Sequence, residues 1–408
     1  MKKTVAVLAT LDTKGQEAGF VREQVEALGG AALLIDIGVV GAPGARPDVT
    51  REQVAEAGGT PLAELLRRPT RQAASPVMIA GARKILAGLL AEGKVDAVLG
   101  LGGTQGTSNC TQVMQALPYG LPKIMVSTVA SGDTHAFVGI KDITMAFSVS
   151  DILGLNPVTR KILANAAGAA YGMALTSVTL EPRRGDKPVI GMTNLGVLTN
   201  GALLALELFR ERGYEVIVFH AVGSGGRAME QMMRDGLIGA VFDYALGEIS
   251  DDVFHGLRAG GPERLTVAGD LNLPQVLCPG GAEHIGLIVD EPNVVPERYE
   301  HHRYVFHNPI IFAPRLSTGE LQRVAQEIGR RLSHTKGRAV FMIPRDGVSR
   351  YSAPGGELRD TASDEVFYAA LRAHLPESIE VVEVDAHAED PAFLREAVDR
   401  LVALIEEG

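Results

Sequence analysis

The stretch Val95-Asp96-Ala97-Val98-Leu99-Gly100-Leu101-Gly102-Gly103-Thr104-Gln105-Gly106-Thr107-Ser108-Asn109 constrains this chain more than any other. It opens as a short apolar run, which reads as a buried strand. It then breaks into glycines and ends in hydroxyl and amide residues suited to capping a helix. A strand–loop–helix joint of this kind leaves backbone N–H groups free at the helix start, and glycine lets that backbone approach an anion with no Cβ in the way. Thr104, Thr107 and Ser108 add hydroxyl donors. The pattern is neither a Walker A sequence nor a GxGxxG dinucleotide fingerprint. A cradle for phosphate or carboxylate and a tight turn whose glycines serve only packing both fit it, and the donors favour the cradle.

The same plan recurs on either side. Residues 4–9 read as a buried strand, a helix runs to about residue 28 where Gly29-Gly30 closes it, and residues 33–38 complete a βαβ unit. The first loop carries Asp12, Thr13 and Lys14. Asp12 or Thr13 would cap the helix in any protein, but Lys14 opposes the helix dipole unless an anion is bound. Residues 41–69 read as a long loop with a helical piece at 50–57. Arg71 precedes a predicted helix over about 77–92, which feeds the glycine loop. A helix through Val113 and Leu117 then leads to a strand at 122–127. That strand ends in Thr128-Val129-Ala130-Ser131-Gly132-Asp133-Thr134. Three strand ends with donor-rich loops read as one ligand cleft, because ligands bind at the carboxyl ends of parallel strands. Asp142 and Asp151 offer oxygen ligands for magnesium, although caps and solvated turns are the commoner use of such residues.

Asp186-Lys187-Pro188 reads as a linker, after which strands at 188–193, 215–219 and 239–243 alternate with helices. The expected fold is therefore α/β, with two Rossmann-like doubly wound parallel-sheet domains, residues 1–183 and 184–408, and a cleft between them. A length of 408 residues favours two cores over one. Asp270, Cys278, Glu283, His284, His301, His302 and His307 follow no zinc spacing, so no metal site is expected among them. A further loop, residues 345–356, follows a strand at 339–343, and a helix at 391–405 reads as packing.

A net charge of −10 argues against nucleic acid or an anionic membrane as partner. Cys110 and Cys278 alone make no disulfide framework and fit a reducing cytoplasm. No apolar stretch reads as a signal peptide or a membrane span. A homo-oligomer is the expected assembly.

Taken together, Ala9-Thr10-Leu11-Asp12-Thr13-Lys14, Gly100-Leu101-Gly102-Gly103-Thr104-Gln105-Gly106-Thr107 and Ser127-Thr128-Val129-Ala130-Ser131-Gly132 resemble the Tm-one-like ATP-binding family, and the resemblance runs over the whole chain. It implies an ATP site in the first domain, with Asp12, Thr13, Lys14, Arg71, Gly102, Gly103, Thr104 and Gln105 as ligand contacts. The expectation is a cytoplasmic nucleotide-binding protein that holds ATP with magnesium. The backbone of residues 102–107 would cradle the phosphates, Lys14 and Arg71 would supply charge, and Asp36 would reach the ribose. If ATP is turned over, an unknown small molecule would meet it in the cleft, with Asp133 or Asp346 as base. The alternative is a hydrolase or lyase for a small organic acid in the same cleft, with Thr104 as nucleophile. Two cations suit a polyphosphate, whereas one suffices for a carboxylate. A third reading is a scaffold that assembles as an oligomer with a partner enzyme.

Overall fold

A computed structural model describes residues 2–180 and 187–407. The chain divides into two compact units, residues 1–180 and 181–408. The predicted boundary at 183/184 and Asp186 of the linker lie outside the described residues.

In the first unit, β1 (Thr4–Ala9), β2 (Ala31–Asp36), β3 (Ala97–Gly102), β4 (Lys123–Ser127) and β5 (Ile143–Phe147) form a wholly parallel sheet. The strand order is β2-β1-β3-β4-β5. Alternation along β1 divides the core. Val5, Val7 and Ala9 pack with Val21 and Val25 of the helix Leu11–Ala27 and with Leu163 and Ala167 of Pro157–Ala174. Ala6 and Leu8 face the other way, onto Val54 of Arg51–Ala57, Met78 of Arg71–Ala91 and Val113 of Thr104–Gln115. The sheet is doubly wound. The helices that leave β1 and β3 cover opposite faces, so the crossover reverses between these neighbouring strands and opens a crevice at their carboxyl ends.

Two local expectations need correction. The helix expected from residue 77 begins at Arg71 and carries Pro76 inside it, where the proline costs an interior hydrogen bond. This helix is also long and apolar enough, by length and composition, to cross a bilayer, contrary to the expectation from sequence. Its Ala74, Met78, Ile79, Gly81, Ala82 and Leu86 are nevertheless buried in the core of the unit. A Cβ on Gly81 would lie 1.8 Å from the Val54 carbonyl oxygen, so the two helices meet backbone to backbone. Gly81→Val is expected to cost roughly 2–3 kcal/mol by overpacking, read as a lowered midpoint in chemical denaturation.

In the second unit, β6 (Ile190–Asn194), β7 (Val216–His220), β8 (Ala240–Ala245) and β9 (Gln275–Gly280) come first. An unforeseen antiparallel insert follows, made of β10 (Leu287–Ile288), β11 (Tyr304–Asn308) and β12 (Ile311–Pro314). The chain closes with β13 (Ala339–Pro344) and β14 (Glu380–Val384). The large sheet is parallel in the order β14-β13-β9-β8-β6-β7, which is the plan of the first unit with a sixth strand added. The helices Thr199–Glu211 and Pro391–Glu406 cover one face. The other face is covered by Ser224–Arg234, Gly247–Phe254, Thr318–Leu332 and Thr361–His374.

Candidate functional site

The carboxyl ends of β1 and β3 gather the expected contacts. After β1, the N–H groups of Thr13 and Lys14 both donate to the Thr10 carbonyl, at 3.2 and 2.9 Å. Lys14 (φ −126°, ψ 17°) leaves helical geometry, so residues 11–13 form a separate tight turn and the helix resumes at Gly15. Gly15 has to be glycine, since a Cβ there would come within 2.6 Å of the Gly44 backbone. Asp36, only 1% exposed, accepts from the N–H groups of Leu11 at 3.0 Å and Gly38 at 2.9 Å. Burial raises its pKa, and those two N–H groups pull it back. It clasps the loops after β1 and β2 together, which is a positioning role in place of the expected reach to a ribose. Asp12 lies against the second of these loops. A Cβ on Gly38 would be 3.0 Å from its Oδ1, and one on Gly41 (φ +71°) 3.1 Å from its Cβ.

Asp12, Thr13, Arg71 and Gln105 line one cavity of about 250 Å³, together with Ile37, Val39 and Met78. That is slightly less than the roughly 300–1,000 Å³ usual for a small-molecule site, and it is open on one side. Lys14, Gly102, Gly103 and Thr104 lie outside its lining.

The glycine stretch separates into two kinds of residue. Gly100 and Gly102 belong to β3 and serve packing. A Cβ on Gly100 would be 2.7 Å from Met125 Sδ, and one on Gly102 2.8 Å from Gly106 Cα. The connection to the helix is therefore Gly103 alone. Its backbone (φ −74°, ψ −164°) suits any residue, and the nearest atom to a Cβ there would be Thr128 Oγ1 at 3.8 Å. Folding does not demand glycine at 103. No side chain caps the helix Thr104–Gln115, and among the described residues the N–H groups of Thr104, Gln105 and Gly106 have no acceptor.

The hydroxyls likewise divide. Thr104 is exposed, whereas Thr107 is fully buried and bonded to Ser127 Oγ at 2.7 Å, so Thr107 ties β4 to the helix and offers nothing to a ligand. Arg71 is an exposed first residue of its helix, behind Thr70, whose hydroxyl accepts the Ala73 N–H. Among the described residues neither Lys14 nor Arg71 has a side-chain hydrogen-bond or ion-pair partner. Asp133 accepts the His135 N–H at 2.9 Å, Asp142 pairs with the buried Lys123 at 2.8 Å, and Asp151 is exposed.

Residues 3–179 match the family described as "Uncharacterised protein family (UPF0261) N-terminal domain", and residues 187–405 match the C-terminal domain of the same family. The chain belongs to the UPF0261 family. A UPF0261 protein of Clostridium tetani is 37% identical over 407 residues, covering 100% of both chains. The ToMV resistance protein Tm-1(GCR237) of Solanum lycopersicum is 31% identical over 312 residues, which is 75% of this chain and 41% of the tomato protein. MurG of Acinetobacter baumannii aligns over 100% of both chains at 14% identity, but its TM-score of 0.23 carries no argument.

The second unit of this UPF0261 chain treats its helix starts differently. The helix after β6 opens against Glu389, whose carboxylate accepts the N–H groups of Asn200 at 2.9 Å and Gly201 at 3.4 Å. The helix after β7 opens against Glu248, which accepts from Gly223 at 2.6 Å and Gly226 at 3.1 Å. Both anion positions are filled from within. The histidines are dispersed: His302 bonds the Arg315 carbonyl at 2.7 Å, His307 approaches the Tyr351 hydroxyl at 3.4 Å, and His284 is buried between Glu283 and Arg258. Among the described residues no group of three His, Cys, Asp or Glu is placed to hold a metal. Cys110 and Cys278 are fully buried, and burial pushes both thiols up, Cys110 to about 12, so neither is a reactive thiolate. Asp346, in the loop after β13, stands 3.5 Å from Arg359.

Proposed function

We propose that the first unit binds a nucleoside triphosphate, ATP with magnesium, at the crevice between β1 and β3. One observation carries this reading. Gly103 has neither a conformational nor a steric reason to be glycine, and it stands beside three N–H groups at a helix start that have no acceptor among the described residues. Such a start attracts an anion through its dipole and its free donors. Lys14 and Arg71 support it. Each is a cation at the N-terminal end of a helix, where the dipole disfavours it, and among the described residues neither has a carboxylate partner. A polyphosphate would relieve both.

Asp12 would repel phosphate by itself, so its place in the cavity suits a bound magnesium, which typically takes one or two carboxylates and completes its shell with phosphate oxygens and water. The carboxylic-acid alternative draws no comparable support. Among the described residues Thr104 Oγ1 has no partner to take its proton. The motifs at residues 9–14 and 100–107, which resemble an ATP-binding family, support the same ligand.

Calorimetric titration of Gly103→Val and Lys14→Ala with MgATP tests the reading. Each variant is expected to bind at least about tenfold more weakly than the parent chain, with its melting temperature within a few degrees. Unchanged affinity in both would place the ligand elsewhere.

A further inference from the structure

The phosphate contacts leave one wall of the cavity unused. Gln105 and Asn109 stand about one turn apart on the helix Thr104–Gln115 and reach toward Ser75 of the helix Arg71–Ala91, and all three line the cavity. Asn109 is 6% exposed, so its amide is held away from bulk water. Gln105 Nε2 donates to Asn109 Oδ1 at 2.9 Å and to Ser75 Oγ at 3.3 Å, which uses both of its N–H groups. What remains is Gln105 Oε1, an acceptor, beside Asn109 Nδ2, a donor. Turning both amides over exchanges the two roles and still leaves one donor and one acceptor, because the Ser75 hydroxyl serves either arrangement. Ile37, Val39 and Met78 supply the apolar wall that a flat ring needs.

We propose that this wall is a nucleobase subsite in which Asn109 and Gln105 read a base edge that carries a donor next to an acceptor. Adenine presents such an edge with its 6-amino group and the neighbouring ring nitrogen. The inference rests on the nucleotide reading of the same cavity and adds what that reading leaves open, namely which end of the ligand the cavity takes and which side chains select it. A cavity of about 250 Å³ suits a base better than a whole nucleoside triphosphate. Arg71 belongs to the lining itself, whereas Gly103 and Lys14 lie outside it, Gly103 two residues before Gln105 and Lys14 directly after Thr13 of the lining. Selectivity follows from the cost of an unmade bond. A ring that lacks the exocyclic amine covers the amide oxygen from water without giving it a partner.

The test is a titration of the full chain in magnesium with ATP, purine riboside triphosphate (which lacks the 6-amino group) and inorganic tripolyphosphate. It is repeated on Asn109→Leu and Gln105→Leu, with thermal melts to check folding. ATP is expected to bind about tenfold more tightly than purine riboside triphosphate. Both variants should erase that difference, and Asn109→Leu should leave tripolyphosphate affinity unchanged. Equal affinity for ATP and purine riboside triphosphate in the parent chain would overturn the subsite, even if a variant failed to fold. Retention of the preference in a folded Asn109→Leu would also overturn it. If tripolyphosphate binds as tightly as ATP, the base subsite fails and the phosphate site stands. If no probe binds, both fail.

Discussion

Arg264→Met is expected to destabilise the second unit by about 3–5 kcal/mol. Arg264 is fully buried and answers three carboxylates from three different elements. Its Nη1 donates to Asp243 Oδ2 of β8 at 2.5 Å and its Nε to Glu248 Oε2 of the helix Gly247–Phe254 at 2.6 Å. Its Nη1 also lies 3.4 Å from Glu230 Oε1 of the helix Ser224–Arg234. Methionine would fill much of the volume and remove the cation that the three carboxylates share. Asp243 would keep the Thr193 hydroxyl and Glu248 the Gly223 and Gly226 N–H groups, but none of these carries a full charge. Arg264→Lys should recover only part of the loss, because an ammonium cannot form the paired bonds to Asp243 that the planar fork makes. Chemical denaturation followed by circular dichroism measures the effect. A loss below about 1 kcal/mol would mean that the cluster relaxes or takes up protons in place of its cation.

The same cluster should give the second unit a pH dependence. One cation among three buried carboxylates leaves an excess of negative charge, and Glu230 absorbs it. Burial raises its pKa from 4.5 to about 7, against the pull of Arg264 and the Leu265 N–H. A carboxyl whose folded pKa lies above its unfolded one binds its proton more tightly in the folded state. Its contribution is fully present below about pH 4.5 and is lost as pH rises through about 7. A shift of this size corresponds to about 3 kcal/mol over that window. Glu230→Gln, which cannot titrate, is expected to flatten the slope while losing one backbone hydrogen bond, since its amide nitrogen cannot accept as Glu230 does from Leu265 and Val267. The difference between parent and variant isolates Glu230 from Asp364, whose burial raises it to about 6 and which titrates in the same direction. Identical pH profiles for parent and variant would exclude this account of Glu230.

Much of this was legible in the sequence because it is local. The apolar runs at 4–9 and 97–102, followed by glycine and hydroxyls, specify strand, turn and helix through neighbouring residues alone, and the α/β plan of both units follows from them. Asp12, Thr13, Arg71 and Gln105 meet in one cavity because loops at the same edge of a parallel sheet have little choice. What stayed hidden depends on distant partners. Nothing near Thr107 announces that Ser127 will bury its hydroxyl, and nothing near Asp36 shows that Leu11 and Gly38 will turn its carboxylate inward. The polar glycine loop at 194–201 looks as inviting as the one at 100–107, yet Glu389, nearly two hundred residues away, closes it. The antiparallel insert was missed because β10 is two residues long and β12 four, too short for alternation to register.

The most direct test of the central claim is a calorimetric titration of the full chain with ATP in the presence of magnesium. The account predicts saturable binding at one site per chain, weakened when magnesium is withheld and accompanied by a rise in melting temperature. No heat and no thermal shift with any nucleoside triphosphate would contradict it, and would leave Gly103, Lys14 and Arg71 without an anion to explain them.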